Sequence, residues 1–140
     1  MDREDNEEKI VTDQDELRWF IDLDFFQSKN RSFIHLVEER LCTDCRKKLL
    51  VAGGETSEAE LLSTIKDCCS KSPEFITGDL PILESIFRIF LANGNQSLSL
   101  EELGQQLSDR RGGDAYRTSA AILSRLLKND QYYGIRQIEE

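Results

Sequence analysis

The sequence predicts a mostly α-helical protein with one short strand near its C-terminus. Apolar residues recur at three- and four-residue spacing along most of the 140 residues, which is the period of an amphipathic helix. Two capping boxes, Ser57 with Glu60 and Ser99 with Glu102, mark helix starts. We therefore expect a helical module that contains the cysteines over residues 14–78, followed by a three-helix domain with a terminal strand over residues 79–140.

Residues 1–13 are expected to form a disordered acidic leader, because they carry too little apolar surface to offset the entropy of ordering. Residues 1–16 hold eight acidic and two basic side chains, so most of the chain's net charge of −9 lies there. We interpret the leader as a solvated tail, and docking on a basic partner is the alternative. With no signal peptide and no apolar run of ~20 residues, we expect a cytoplasmic protein without a membrane segment.

The densest aromatic run lies between Glu16 and Gln27 and predicts a helix. At helical spacing, Trp19, Leu23 and Phe26 share one face, and further apolar residues cover the neighbouring faces. Such a helix is buried against two surfaces or against a second copy of the chain. A homodimer that forms through this aromatic helix is therefore one expected assembly.

A second helix is predicted from Phe33 to about Leu50, and a third from Ser57 to the Cys68–Cys69 pair. The only histidine, His35, falls off the apolar stripe of the second helix, so we interpret it as structural or solvent-facing. The link that follows contains Phe75 and Ile76, which should tuck it against the core.

The four cysteines predict a structural zinc site. Cys42 and Cys45 form a C-x2-C pair, and Cys68 and Cys69 follow after 22 intervening residues. Zinc prefers four thiolate or imidazole ligands in a tetrahedron, and this separation is close to that between the halves of many structural sites. Adjacent cysteines can both bind one metal if the helix unwinds there; otherwise His35 or a carboxylate completes the shell. Buried apolar thiols, and redox or iron–sulfur chemistry, are the alternatives.

Three helices and a strand are predicted in the C-terminal half. Leu83, Ile86, Phe87 and Phe90 lie on one face of the first helix, which Asp79 is expected to cap. Ser99 is expected to open the second helix, and residues 110–114 to form a loop after it. Thr118 is expected to cap the third helix, whose apolar face consists of Ile122, Leu123, Leu126 and Leu127. Residues 132–138, which are rich in β-formers, predict the strand.

The order of helix, short extended link, helix, helix and strand resembles the winged-helix superfamily. IFRIFLANGNQSLSLEELGQQL is similar to its first two helices, and SAAILSRLLKNDQYYGIRQI to its third helix and following strand. The resemblance implies a fold that often places its third helix in the DNA major groove. On that basis, the residues expected to contact nucleic acid are Arg110, Arg111, Tyr116, Arg117, Ser119, Arg125, Lys128 and Arg136.

The function predicted from these patterns is non-enzymatic, because the sequence has no Gly-rich phosphate loop, H-E-x-x-H motif or nucleophile elbow. We expect a zinc-binding, winged-helix regulator that contacts DNA or a transcription protein. The alternative is a protein-interaction or dimerisation module that binds no nucleic acid. Neither half of the chain beyond the leader is basic, as a DNA-binding domain normally is, which favours the alternative.

Overall fold

The computed structural model describes residues 17–52, 57–111 and 119–138, and this part of the chain is mostly helical with one small sheet. The predicted leader lies outside these residues. Among them, no helix combines the length and the apolar character needed to cross a bilayer. The elements in chain order are β1 (Arg18–Ile21), α1 (Leu23–Ser28), α2 (Phe33–Glu38), α3 (Thr43–Ala52), α4 (Glu58–Asp67), a 3₁₀ turn (Cys69–Lys71), α5 (Ile82–Ala92), β2 (Leu98–Ser99), α6 (Leu100–Arg111), α7 (Ala120–Lys128) and β3 (Ile135–Gln137).

The sheet has three antiparallel strands in the order β2-β1-β3. Its central strand comes from the segment in which a helix was predicted between Glu16 and Gln27, so that prediction is wrong for residues 18–21. Trp19 and Ile21 are buried while Arg18 is exposed, which is the two-residue alternation of a strand with one face on the core. Trp19 pairs with Leu98 on one side and with Gln137 on the other.

Helix α1 begins only after this strand, where the Asp22 carboxylate caps it by accepting the Asp24 N–H. Phe25 and Phe26 are buried, and their rings meet edge to face with centroids 5.4 Å apart. The Phe26 ring also contacts the Phe33 ring on α2, and the Phe33 ring contacts the Phe87 ring on α5. These aromatic side chains are thus part of the core of one chain.

The single helix predicted from Phe33 to about Leu50 is two helices, α2 and α3, separated by a turn. Arg40 and Leu41 donate their backbone N–H groups to carbonyls three residues back, which ends α2 in a tighter turn. The Arg40 side chain adds a hydrogen bond to the Leu36 carbonyl. The turn places Cys42 directly before the first residue of α3.

The start of each C-terminal helix differs slightly from the prediction. Helix α5 begins after Pro81, which is its N-cap residue, and it has no side-chain cap from Asp79. Helix α6 opens with the predicted capping box of Ser99 and Glu102 and continues through Arg111. Arg110 and Arg111 are therefore helical, and the rest of the predicted loop lies outside the described residues. Helix α7 is capped by Ser119, whose hydroxyl accepts the Ile122 N–H, whereas Thr118 lies outside the described residues.

The strand predicted near the C-terminus is present as β3, and a buried carboxylate organises the chain before it. Asp130 accepts hydrogen bonds from the backbone N–H groups of Tyr132, Tyr133 and Ile135 at 2.9, 2.9 and 3.0 Å. The Ile135 N–H points away from β1, so this bond occupies the outer edge of the sheet. Arg136 adds a hydrogen bond to the Ile135 carbonyl on the same edge.

The Asn95 side chain extends the ladder between β1 and the chain that enters β2. Its amide donates to the Ile21 carbonyl and accepts the Ile21 N–H, both at 2.9 Å, as a paired strand residue would. Asn95 also has a left-handed backbone with φ of 63°, which asparagine tolerates better than most residues.

We expect Asn95→Ala to lower the free energy of unfolding by about 1–3 kcal/mol, since it leaves the half-buried Ile21 groups without partners. Asn95→Asp should also destabilise the chain: it keeps the acceptor for the Ile21 N–H and tolerates the left-handed backbone, but it sets a carboxylate oxygen against the Ile21 carbonyl. Urea denaturation of both variants measures the two losses. Unchanged stability in both variants would contradict a role for the two Ile21 bonds.

Candidate metal centre

Cys42 and Cys45 are positioned by the start of α3. The helix begins at Thr43, so the two cysteines are three positions apart across its first turn, which brings both sulfurs to the same end. The backbone N–H of Cys45 lowers the pKa of the Cys42 thiol to about 7. Free amides at a helix start favour a thiolate there, as they favour other anions.

Cys68 and Cys69 are positioned by the end of α4. The helix, opened by the predicted capping box of Ser57 and Glu60, ends at Asp67. Cys68 then takes a non-helical backbone with φ −130° and ψ −68°, and Cys69 begins the 3₁₀ turn. This unwinding allows two adjacent side chains to reach one point, which a continuous helix would prevent because neighbouring residues diverge by ~100°.

The four sulfurs form one compact cluster. All lie within 4.8 Å of one another, and the Sγ atoms of Cys42 and Cys68 are 3.9 Å apart. Four thiolates around a tetrahedral zinc at bond lengths of ~2.3 Å would be ~3.8 Å apart. All four cysteines are free thiols, since a disulfide requires sulfurs ~2.05 Å apart. The cluster can hold a metal ion.

The electrostatics of the cluster favour neutral thiols at its two buried cysteines. Burial raises the pKa of both the Cys45 and the Cys69 thiols, because a thiolate is costly in an apolar environment. The side chain of Cys69 also accepts the backbone N–H of Cys42 at 3.2 Å. Four sulfur ligands so close together can all ionise only if a positive ion is placed among them.

His35 does not belong to the cluster, which consists of the four cysteines alone among the described residues. Its side chain is exposed on α2, where Nε2 lies 3.3 Å from a carboxylate oxygen of Glu39 one turn later. The alternative in which His35 or a carboxylate completes the metal shell therefore has no support from the positions of these groups.

A buried charged network adjoins the centre through Arg40, two residues before Cys42. Glu84 on α5 is 8% exposed and accepts hydrogen bonds from Arg40, Arg88 and Tyr133, each at 2.8 Å. Burial by itself raises the pKa of the Glu84 carboxyl, but these hydrogen bonds outweigh it and bring the pKa down to about 2. Glu84 was not among the expected site residues, although an acid within the apolar run of α5 was a usable signal.

Three of the residues expected to contact nucleic acid serve the fold of this chain. Arg111 donates to the carbonyls of Thr77 and Leu80 in the link before α5 and to the Ser85 hydroxyl on α5, which ties the end of α6 to both. Arg136 lies over the Phe25 ring at 4.6 Å and donates to the Asp130 carbonyl. Ser119 caps α7.

The other candidates lie on two helices, α6 and α7, and in residues 112–118, which are outside the described part of the chain. Arg110 is exposed at the end of α6, and Arg125 and Lys128 are exposed on α7. Tyr116 and Arg117 lie outside the described residues. Among the candidates that the structure describes, the exposed basic side chains available to a partner are those of Arg110, Arg125 and Lys128.

Comparisons with protein-family models, with curated proteins and with solved structures found no match to this chain.

Proposed function

We propose that Cys42, Cys45, Cys68 and Cys69 bind one structural Zn²⁺ ion in a non-enzymatic binding protein. The observation that carries the proposal is the cluster of four free thiols with the spacing of a tetrahedral thiolate site. Four protein ligands leave no open position for water or substrate, which is the arrangement of a structural rather than a catalytic zinc. The ion would join the start of α3 to the end of α4.

Elemental analysis of protein purified without added chelator tests this proposal. One zinc per chain is the expected result. Co²⁺ exchanged into the site should give the intense visible absorption of tetrahedral cobalt thiolate, together with charge-transfer bands in the near ultraviolet. Protein that contains iron with inorganic sulfide would support the iron–sulfur alternative instead. Protein without any stoichiometric metal, and unable to take up Zn²⁺, would leave the four residues as buried thiols.

For the C-terminal half we propose a winged-helix-like arrangement in which β1 supplies the partner of β3. A winged helix ends in a hairpin, but β3 is the only strand after α7 within residues 119–138. Here β1 lies antiparallel beside β3, with Phe20 opposite Arg136, and joins it to β2. The order of α5, β2, α6, α7 and β3 along the chain supports the same proposal.

On this basis we propose that the exposed face of α7 contacts DNA, which would make the protein a transcription-related regulator. Arg125→Ala and Lys128→Ala should each weaken binding to mixed-sequence duplex DNA at low salt. Each should also reduce the slope of log K against log salt by about 0.9, because one phosphate contact is lost. Lys48→Ala on α3 is the matched control, since it removes an exposed positive charge far along the chain from α7. Fluorescence anisotropy over a salt series measures these effects.

A protein partner is the second candidate for this surface, and two observations favour it. The net charge of −9 opposes unaided binding to DNA, and Arg111 and Arg136 are engaged within the chain. If duplex DNA fails to bind at low salt, or if the α7 variants lose no more affinity than Lys48→Ala, the protein-interaction function replaces the nucleic-acid function.

A further inference from the structure

The four cysteines differ sharply in their access to solvent. Cys68 is exposed and Cys42 is half-buried, whereas Cys45 and Cys69 are 4% and 1% exposed. The two accessible sulfurs are also neighbours, with Sγ atoms 3.9 Å apart. The solvent side of the cluster thus consists of one sulfur from the start of α3 and one from the end of α4.

A cavity of about 280 Å³ also borders the cluster and opens beside Cys42. Its wall includes Cys69, Thr43, Arg40 and Arg88. A molecule the size of hydrogen peroxide fits easily in this space, since a single water takes ~30 Å³ of liquid volume. Small oxidants can therefore approach Cys42 from the cavity and Cys68 from open solvent.

We propose that Cys42 and Cys68 form an oxidative modification site at which a hydroperoxide converts the zinc centre into a Cys42–Cys68 disulfide and releases the metal. This inference rests on the proposed zinc site. It assigns Cys42 and Cys68, the two more accessible cysteines, a role that the buried Cys45 and Cys69 do not share.

The chemistry proceeds in two displacements. The Cys68 thiolate attacks one peroxide oxygen, so the S–O bond forms while the O–O bond breaks and hydroxide leaves. The Cys42 thiolate then attacks the Cys68 sulfenic sulfur, so the S–S bond forms while the S–O bond breaks and a second hydroxide leaves. Two thiolates lose two electrons in total, the peroxide gains them, and two protons from solvent yield two waters. Zinc leaves because two of its four ligands no longer carry charge.

The geometry selects this pair over the other pairings. Consecutive Cα atoms are ~3.8 Å apart, shorter than the ~4.4–6.8 Å usual in disulfides, which disfavours a bond between Cys68 and Cys69. Cys45 is 4% exposed and does not line the cavity. Cys69 borders the cavity but is only 1% exposed, so both are less accessible to an oxidant than Cys42 and Cys68. Closing the gap between Cys42 and Cys68 shortens one sulfur–sulfur distance from 3.9 Å to ~2.05 Å.

The test uses the full chain loaded with zinc and treated with one to a few equivalents of hydrogen peroxide. A chromogenic chelator follows released zinc, and differential alkylation with peptide mass spectrometry assigns the disulfide. The expected result is release of one zinc per chain together with a Cys42–Cys68 disulfide, both reversed by dithiothreitol and fresh zinc. A Cys45–Cys69 disulfide, overoxidised cysteines without any disulfide, or retention of zinc under this treatment would overturn the proposal.

Cys68→His provides the matched variant, because imidazole keeps a zinc ligand at this position but removes the thiol. Peroxide should release zinc from it several-fold more slowly than from the wild-type chain and produce no disulfide to Cys42. Equal release rates in the two proteins would count against the proposed pair. Wild-type protein that never binds zinc contradicts the proposed function alone, since disulfide mapping of that metal-free protein still supports or overturns the preference for Cys42 and Cys68.

Discussion

Cys45→Ser should release the metal and lower the melting temperature by ~10 °C or more. Structural zinc contributes about 10–16 kcal/mol of apparent binding free energy in small thiolate sites, which rivals the ~5–15 kcal/mol stability of a whole domain. A loss of only a few kcal/mol already shifts the melting temperature of a chain this size by that much. Cys45 is the strictest test, because it is buried and its hydroxyl replacement binds zinc poorly.

A chelator provides the control for this prediction. Wild-type protein treated with a strong zinc chelator should melt near the temperature of Cys45→Ser, whereas the variant should be indifferent to the chelator. Calorimetry or circular dichroism measures both. If the chelator leaves wild-type melting unchanged while Cys45→Ser is destabilised, the cost comes from burying a hydroxyl, and the metal does not stabilise the fold.

Serine substitutions at the adjacent Cys68 and Cys69 test whether both residues bind the metal. If Cys68 and Cys69 both bind the ion, then serine at either position should reduce the zinc content by the same amount. Cys69→Ser should destabilise the chain further, since Cys69 is buried and accepts the Cys42 N–H. Full zinc content in one of the two variants would show that three cysteines suffice.

Glu84→Gln is expected to lower the free energy of unfolding by about 3–5 kcal/mol. Removing one partner from a buried ion pair leaves an uncompensated charge, here shared between Arg40 and Arg88. The glutamine amide also brings donor N–H groups against guanidinium donors. Tyr133→Phe should cost less, about 1.5–3 kcal/mol, since it removes one hydrogen bond to the carboxylate and leaves both arginines paired. Denaturant unfolding measures both.

The exposed Glu74 offers the matched control, because Glu74→Gln makes the same chemical change without a buried partner. We expect it to alter stability by no more than ~0.5 kcal/mol. A similar small effect for Glu84→Gln would mean that the network contributes little to folding.

The low pKa of Glu84 also predicts how the effect depends on pH. A carboxyl whose pKa falls from 4.5 to about 2 on folding stabilises the folded state fully above pH 4.5. That contribution disappears as the pH falls through about 2. The stability difference between wild type and Glu84→Gln should therefore shrink between pH 4.5 and 2. Loss of metal in acid affects both proteins, so the difference between them isolates Glu84.

Local signals in the sequence were enough to predict several helix starts. Ser57 with Glu60 and Ser99 with Glu102 form the predicted capping boxes, because each box involves only residues three apart. The clustering of the cysteines also followed from spacing, with the helix end at Cys68 supplying the unwinding that adjacent ligands need. Zinc itself stays a prediction.

Features that depend on distant partners could not be predicted in the same way. Trp19, Leu23 and Phe26 fit a helical face, yet β1 is a strand because β2 and β3 pair with it from about 80 and 115 residues away. Arg40 and Glu84 are 44 residues apart, so nothing near either one indicated the ion pair. Arg111 is a further example, because its partners Thr77, Leu80 and Ser85 lie 26–34 residues away in the chain.

The hydrogen bond from the Ile135 N–H to Asp130 protects the outer edge of β3 from pairing with a strand of another molecule. An open three-stranded sheet exposes a row of backbone groups that can template a further strand, which is a common route to aggregation. Here the Ile135 N–H is bonded to a carboxylate of its own chain, and the Ile135 carbonyl to Arg136. A strand from another molecule would have to displace both side chains before it could pair. The fold therefore discourages growth of the sheet from the β3 side.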